Sequence, residues 1–168
     1  MELIEAVSIL EKQVSIPIIC KIVGDGEALE TAKMKVSSLS LNDKVFFCGS
    51  VYDPFKKATY YKESDVYILP TYHEGFPRTL YESMIFGTPV ITTFVGGIPA
   101  LMKDGTNCYR IEPKSVNSIV SVCLNVINDY NAAIRRAQTA QIEISSVLSK
   151  DRLTHAQLLN KHLQLYAK

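Results

Sequence analysis

The sequence contains no tryptophan, only three histidines and no block of like charge. Its 18 Lys and Arg residues nearly balance its 17 Asp and Glu residues, so a net charge of +1 gives no electrostatic support to a nucleic-acid partner. No apolar run reaches the length of a membrane span, and the start, MELIE, is not a basic signal peptide. We therefore expect a soluble, cytoplasmic protein, with peripheral association at the inner face of a membrane left open.

The four cysteines form no Cys-x-x-Cys pair, and no histidine is placed to complete a zinc site. The sequence therefore predicts no metal site. Each cysteine lies in an apolar segment, which favours buried free thiols in a reducing compartment. The four are Cys20, Cys48, Cys108 and Cys123.

The 168 residues, 47% of them apolar, are enough for one domain with a sizeable core. Helical periodicity over 1–14, 27–41, 53–63 and 115–128 alternates with short apolar runs at 18–23, 44–49, 65–69, 88–93 and 108–111. This alternation predicts an α/β domain with a parallel sheet between helices. Further helical patterns, 129–144 and from Ser149 or Asp151 onward, predict a C-terminal helical tail. The first of them is expected to turn one side inward, made of Tyr130, Ile134, Ala137, Gln141 and Ile144.

Three local features carry more detailed expectations. Leu3, Val7, Leu10 and Val14 predict a first helix with a single apolar face, and the β-branched run at 18–23 predicts a buried strand. The tyrosine-rich helix at 53–63, with Phe55 and flanking Tyr52, is expected to use its aromatic side chains mainly in packing.

The stretch Pro70–Pro99 carries the candidate chemistry. Its pattern predicts a strand, a loop, a helix and a second strand, with Glu74 in the loop and Glu82 on the helix. The helix is expected to end at Gly87. Ligands of an open parallel sheet bind outside the carboxyl ends of the strands, where this loop is expected to lie.

The start of this helix favours an anion. Pro77 at the first helical position would waste no hydrogen bond, and the N–H groups near Arg78, Thr79 and Leu80 would point out of the helix end. Together with the helix dipole, these groups form a phosphate site. Gly75 allows close backbone approach, Arg78 adds a forked cation and Thr79 adds a hydroxyl group.

Two glutamates beside a phosphate would repel it unless they bind another group. Sugar hydroxyls suit Glu74 and Glu82, since a carboxylate accepts hydrogen bonds from paired hydroxyl groups. A pyrophosphate flanked by two sugars is a nucleotide-sugar, which is the ligand that the residues favour.

The motif Glu-x7-Glu, followed by GTPVI and then VGGIP, resembles the retaining glycosyltransferases of the GT-B fold, of the family 4 type. The resemblance covers essentially the whole chain, as the C-terminal, nucleotide-sugar-binding half of such an enzyme. It implies a single Rossmann-like domain over 1–168, with a three-layer parallel sheet flanked by helices and followed by the helical tail.

The resemblance also implies roles for individual residues. Glu74 is expected to contact the transferred sugar as the catalytic acid, and Glu82 to bind the ribose hydroxyls. The backbone that cradles the diphosphate is expected to comprise Gly75, Phe76, Pro77, Arg78, Thr79 and Leu80.

Two further loops have alternative interpretations. Gly24 and Gly26 stand in VGDG, where Leu29 replaces the third glycine of a dinucleotide fingerprint, so the loop is either a tight turn or the border of the nucleotide. Val51 either packs on the base, as the resemblance implies, or belongs to an ordinary turn. The family often carries an acid after the proline of VGGIP, where this chain has Ala100.

The implied activity is transfer of a glycosyl group from a nucleotide-sugar, with retention and with no metal or other cofactor. The acceptor, a glycan or a lipid-linked glycan, would bind an N-terminal domain that we expect to be absent here, together with the first strand of the sheet and two cations for the diphosphate. The isolated chain is therefore expected to be inactive or weakly active, with a sheet edge open to oligomerisation. The alternatives are a sugar-nucleotide epimerase of the same fold and a non-catalytic nucleotide-sugar-binding or scaffolding module.

Overall fold

The computed structural model describes residues 1–75 and 77–148. Phe76 and the helix expected after residue 148 lie outside this part of the chain. No helix in the described ranges is both long and apolar enough to cross a bilayer. In chain order the elements are α1 (Glu2–Gln13), β1 (Cys20–Val23), α2 (Leu29–Ser38), β2 (Val45–Gly49), α3 (Pro54–Glu63), β3 (Tyr67–Leu69), α4 (Arg78–Phe86), β4 (Val90–Thr93), β5 (Tyr109–Ile111), α5 (Val116–Asn128) and α6 (Tyr130–Leu148).

The strands confirm the α/β class, with parallel pairing throughout and helices around the sheets. They lie in two sheets: an open sheet, β1–β2, and a packed sheet, ordered β3–β4–β5. In the open sheet Cys20 pairs with Val45, and in the packed sheet Ile91 pairs with both Ile68 and Tyr109. Within the described ranges, β1 pairs only with β2 and β3 only with β4, so each sheet has an open edge.

The prediction of a buried strand at 18–23 is wrong. Successive residues of β1 alternate between half-buried and exposed, and Val23 keeps 46% of its surface accessible. The physical reason is that β1 has a neighbour on one side only. By contrast, every residue of β4 is buried, because β3 and β5 flank it on both sides.

Helix α1 connects the two sheets, which corrects the expectation of a single apolar face. Ile4 and Val7 pack in one cluster with α2 and β2 residues, whereas Ala6 and Leu10 pack in another with β4, β5 and α5. The helix thus buries two adjacent stripes, and each stripe belongs to the core of a different sheet.

Short-range signals explain where several helices begin and end. The Asp53 carboxylate accepts hydrogen bonds from the N–H groups of Phe55 and Lys56, and so caps α3. The Ser115 hydroxyl accepts a hydrogen bond from Ser118 at the start of α5. Helix α4 ends at Gly87, which adopts the left-handed conformation common after helices.

Helix α6 packs on α4 through small side chains. The expected inward residues of α6 included Tyr130 and Gln141, but both are exposed. Ala137 and Ile144 are buried as expected, but the rest of the buried stripe is rotated around the helix and comprises Ala133 and Ala140. Ala140 packs with buried residues of α4, and Ala133 packs with β4, β5 and α5.

The cysteines are all free, but the expectation that all four are buried is only half right. Cys108 and Cys123 are buried, whereas Cys20 and Cys48, on the open sheet, are half-buried. Burial raises the pKa of Cys20 and of Cys123 to about 11 and that of Cys108 to about 12, so these three thiols are poor nucleophiles at neutral pH.

Candidate functional site

A cavity of about 1230 Å³ lies between the two sheets. Its lining includes apolar side chains of α1, β1, β3 and α5, such as Leu10, Val23, Ile68 and Val126. It also includes a polar group from the loops and helices at the carboxyl ends of the strands. Members of this polar group and of the adjoining turns are Gly24, Ser50, Val51, Lys57, Tyr61, Arg78, Thr79 and Glu82.

Five residues predicted from the sequence therefore line one cavity, although they are up to 58 positions apart (82 − 24). These are Gly24, Val51, Arg78, Thr79 and Glu82. The cavity lining does not include the other described candidates, which are Gly26, Glu74, Gly75, Pro77 and Leu80. Four of them, from Glu74 to Leu80, belong to the same loop and helix start as Arg78 and Thr79.

The first turn of α4 differs in detail from the expected anion site. Pro77 is not the first helical residue but precedes it, with extended backbone angles, and the helix begins at Arg78. The Leu80 N–H group already donates to the Pro77 carbonyl oxygen at 3.1 Å, and the Leu80 side chain is fully buried. The N–H groups of Arg78 and Thr79 occupy the positions that an α-helix leaves without an intrahelical partner.

Glu82 is a buried acid at the wall of the cavity, with 7% of its surface accessible. Its Oε2 atom accepts a hydrogen bond from the Tyr61 hydroxyl at 3.0 Å. Its Oε1 atom lies 3.6 Å from the Lys57 ammonium nitrogen. Both carboxylate oxygens are thus held by α3, the neighbouring helix.

Packing fixes Tyr61 in this position. Its ring stacks on Phe86 at 5.6 Å between centroids and meets the Tyr67 ring edge-on at 5.5 Å. Burial, and then the nearby Glu82 carboxylate, raise the pKa of the Tyr61 hydroxyl, so it stays protonated and donates to Glu82. The same hydroxyl lies 3.3 Å from the Thr79 carbonyl oxygen.

Glu74 is half-buried in the loop that follows β3, and its backbone is clamped by the loop that follows β4. Gly96 has a φ of +56°, and a Cβ atom there would overlap the Glu74 carbonyl oxygen. The Gly97 N–H group donates to the Gly75 carbonyl oxygen at 3.2 Å. Gly96 thus allows the backbone of this loop to pass close to Glu74.

The two loops on the open sheet differ from each other. Gly24 has a φ of +140°, donates its N–H group to the Gly49 carbonyl oxygen and lines the cavity. Gly26 is exposed, and its N–H group is bonded to the Asp25 side chain. Val51 is half-buried in the cavity wall. The geometry suits both a tight turn and a nucleotide border for Gly24.

The expectation that the aromatic side chains of this region pack is confirmed for Tyr61 but wrong for Tyr52, of which 87% is accessible. Phe55 is also 58% accessible. Tyr52 precedes Asp53, so it projects from the turn before the helix rather than from its packed face.

Sequence reasoning missed Lys57 and Tyr61 as members of the site. Their spacing of four places them on one face of α3, one turn apart. That spacing is a usable signal, but it identifies Glu82 as the partner only once α3 is known to pack against α4.

The profile of the family described as "Glycosyl transferases group 1" matches residues 1–142. An uncharacterised glycosyltransferase of Methanocaldococcus jannaschii is 33% identical over 110 residues, which cover 65% of this chain and 28% of that protein. The chain thus spans less than a third of the length of this relative.

Two solved structures share the fold. One is Anabaena HepE in complex with UDP-glucose, with a TM-score of 0.80 and 23% identity, covering 98% of this chain and 44% of that one. The other is the C-terminal domain of a group 1 family glycosyl transferase, LpcC, from Francisella tularensis. Its TM-score is 0.76 at 25% identity, and the match covers 86% of this chain and 76% of that one.

Proposed function

The chain belongs to the family of group 1 glycosyl transferases, and from this premise we propose that it binds the nucleotide-sugar donor of a glycosyltransferase. The observation that carries the proposal is the convergence of Gly24, Val51, Arg78, Thr79 and Glu82 on one cavity at the carboxyl ends of parallel strands. Anabaena HepE, which has the same fold, was solved with UDP-glucose bound.

In this proposal the nucleoside lies toward Gly24 and Val51, the diphosphate meets the start of α4, and Glu82 accepts hydrogen bonds from the ribose. The free N–H groups of Arg78 and Thr79, with the Arg78 guanidinium, stabilise the diphosphate. Glu74, held by the Gly96 loop, contacts the transferred sugar. Phe76 belongs to the proposed cradle but lies outside the described residues.

The proposed reaction is glycosyl transfer with retention and without a metal. The bond between the anomeric carbon and the diphosphate oxygen breaks, and the acceptor hydroxyl oxygen bonds to the same face of that carbon. The departing diphosphate takes the hydroxyl proton. Fixed N–H groups and cations stabilise its developing charge.

The acceptor, proposed to be a glycan or a lipid-linked glycan in polysaccharide assembly, would bind polypeptide outside residues 1–168. The support is that this chain spans less than half of HepE and less than a third of the Methanocaldococcus relative. Residues 1–168 alone are therefore proposed to bind the donor and to transfer it weakly or not at all.

The epimerase and the non-catalytic module remain the alternative functions. An epimerase would need an acid–base group that acts on the sugar. In the described ranges Glu74 is the acid held at this loop, and no hydrogen bond or ion pair joins its carboxylate to a second acidic side chain. The non-catalytic alternative is tested by transfer activity, since binding alone is common to both.

The proposal is tested by calorimetric titration of the chain with UDP, GDP and ADP and with their common sugar conjugates. We expect one nucleotide to bind, and Glu82→Ala to weaken its binding by about 1–3 kcal/mol, because buried polar groups lose a partner. Glu30→Ala, which removes an exposed acid on α2, is the matched control and should leave binding unchanged.

Absence of binding by all three nucleotides at millimolar concentration would overturn the donor-site proposal. Equal weakening by Glu82→Ala and Glu30→Ala would overturn the role assigned to Glu82. Titration with and without EDTA tests metal independence, and addition of Mg²⁺ that restores lost binding would contradict it.

The open edges of β1 and β3 support one more proposal, which is self-association of this chain through a sheet edge. Light scattering behind a sizing column measures the mass directly. A mass that stays at 18.7 kDa across a wide concentration range would exclude it.

A further inference from the structure

We propose that Tyr61 and Lys57 position the Glu82 carboxylate and thereby make the site select ribose over 2′-deoxyribose. This inference rests on the proposed donor site. It concerns two residues of α3 that neither the sequence motif nor the comparisons assign to a ligand. Both are positioning residues, since they act through Glu82.

The first step is that each oxygen of the Glu82 carboxylate has its own partner on α3. Tyr61 donates to Oε2 at 3.0 Å, and the Lys57 ammonium lies 3.6 Å from Oε1. The carboxylate therefore cannot rotate about its last bond without losing both partners. An ionised carboxylate accepts about four hydrogen bonds, so one site per oxygen remains for a ligand.

The second step is the match to a ribose. Two acceptor sites, one on each oxygen of a fixed carboxylate, fit the two neighbouring hydroxyl groups of a ribose ring. Loss of the 2′-hydroxyl leaves one site of a buried acid without its donor, which a site built for hydrogen bonding tolerates poorly. A freely rotating carboxylate would adapt to the single remaining hydroxyl and discriminate less.

The third step is rigidity. The Tyr61 ring packs between Phe86 and Tyr67. The backbone carbonyl oxygen of Tyr61 accepts a hydrogen bond from the Thr88 hydroxyl at 2.9 Å. Glu82 sits on α4 among the buried residues Leu80, Ser83 and Met84. The donor and the acceptor thus both stand on packed helices, which is the arrangement that fixes a binding geometry.

The experiment compares each nucleoside diphosphate that binds, UDP, GDP or ADP, with its 2′-deoxy form. The wild-type chain should prefer the ribose form by roughly tenfold or more, the value of one hydrogen bond to a charged group. Tyr61→Phe keeps the packed ring but removes the donor. It should weaken the ribose form by about tenfold and the 2′-deoxy form much less, so that the preference collapses.

Tyr72→Phe is the matched control, since it also removes a hydroxyl that donates to a glutamate, Glu2, and Tyr72 does not line the cavity. It should keep the wild-type preference. Circular dichroism melting of each variant confirms folding. Equal weakening of both nucleotide forms by Tyr61→Phe, or no change in either, would overturn the inference.

Lys57 provides the second test. Lys57→Arg should retain the preference for ribose, because it keeps a cation beside Oε1, whereas Lys57→Met should reduce it. Identical behaviour of the two variants would overturn the role of Lys57. Failure of the wild-type chain to bind any nucleotide would instead refute the donor site, so the two failures are distinguishable.

Discussion

The two sheets divide the candidate site unequally. The packed sheet has a fully buried central strand, β4, and supports the loops that carry Glu74 and the Gly96 clamp. The open sheet has two strands, of which β1 is half exposed, and it supports the turns that carry Gly24 and Val51. The residues proposed for sugar and diphosphate thus stand on the better-packed sheet, and those proposed for the nucleoside stand on the looser one.

Local stability is therefore expected to differ between the part of the site proposed for the nucleoside and the part proposed for the sugar and diphosphate. Local opening needs less free energy where few apolar contacts are broken. The turns of the open sheet are therefore expected to open more often than the Glu74 loop. Helix α1 contributes residues to the cores of both sheets, so it is the packing contact through which opening of one sheet would affect the other.

The largest difference between the two sheets is expected when one isoleucine in each of them is replaced by alanine. Ile91 is fully buried in β4 and Ile22 is half-buried in β1. Ile91→Ala should lower the free energy of unfolding by about 2–5 kcal/mol, because it removes a fully buried side chain from the core that β4 shares with β5 and α5. Ile22→Ala should cost roughly 1 kcal/mol, because less apolar surface is removed from a partly solvated strand. Urea unfolding measures both.

Equal losses for Ile91→Ala and Ile22→Ala would show that the open sheet is packed as tightly as its neighbour. The slopes of the two urea curves should match that of the wild type, so that midpoints report stability alone.

A smaller loss of stability is expected for substitution of two glycines that have similar φ angles. Gly96 has a φ of +56° and Gly49, at the end of β2, has a φ of +66°. Gly49→Ala should lower the free energy of unfolding by roughly 1–2 kcal/mol, the cost of the left-handed conformation for a residue with a Cβ atom. No steric cost is added, because a Cβ atom there would meet open space. Gly96→Ala should cost about 1–3 kcal/mol more, because its Cβ overlaps the Glu74 carbonyl oxygen.

Thermal unfolding compares the two glycine variants, and binding of the nucleotide-sugar reports whether Glu74 has moved. A Gly96→Ala variant as stable as Gly49→Ala would contradict the clamp.

The smallest effect concerns the contact between α1 and the loop after β3. The pKa of Glu2 lies below its ordinary value, and the main cause is the hydrogen bond that the Tyr72 hydroxyl donates to its carboxylate. A lowered carboxyl pKa stabilises the fold above the unfolded value of about 4.3, and this contribution is lost as the pH falls through the folded value. Tyr72→Phe should therefore reduce the melting temperature near pH 6 and have less effect near pH 3.

Thr139→Ala is the control for this pH dependence. The Thr139 hydroxyl donates to a backbone carbonyl, that of Arg135, so the loss on substitution should be similar at both pH values. A constant difference between wild type and Tyr72→Phe across the pH range would refute the contribution of Glu2.

Much of the fold was predictable because its signals are local. Periodicity identified the described helices and strands, and Asp53, Gly87 and Ser115 marked helix ends through their own capping chemistry. The exposure of β1 was not predictable from its β-branched residues, since it depends on which strands lie beside it. The rotated stripe of α6 likewise depends on its partner, α4.

For the site, the motif predicted that seven described residues lie together; Arg78, Thr79 and Glu82 line the cavity, whereas Glu74, Gly75, Pro77 and Leu80 do not. It did not predict their neighbours. The contacts of Glu82 with Tyr61 and Lys57 arise from packing between α3 and α4, across 21 and 25 positions in the sequence (82 − 61 and 82 − 57). The close approach of Gly96 to Glu74 depends in the same way on the juxtaposition of two loops.

The clamp at Gly96 also has an evolutionary consequence. A side chain at position 96 and the present path of the backbone at position 74 exclude each other sterically. Any descendant that acquires a side chain there must also move the Glu74 loop, which costs stability unless a further substitution offsets it. In a saturation library selected for donor binding, position 96 should accept glycine alone, whereas the exposed Ala100, four residues further on, should accept many side chains.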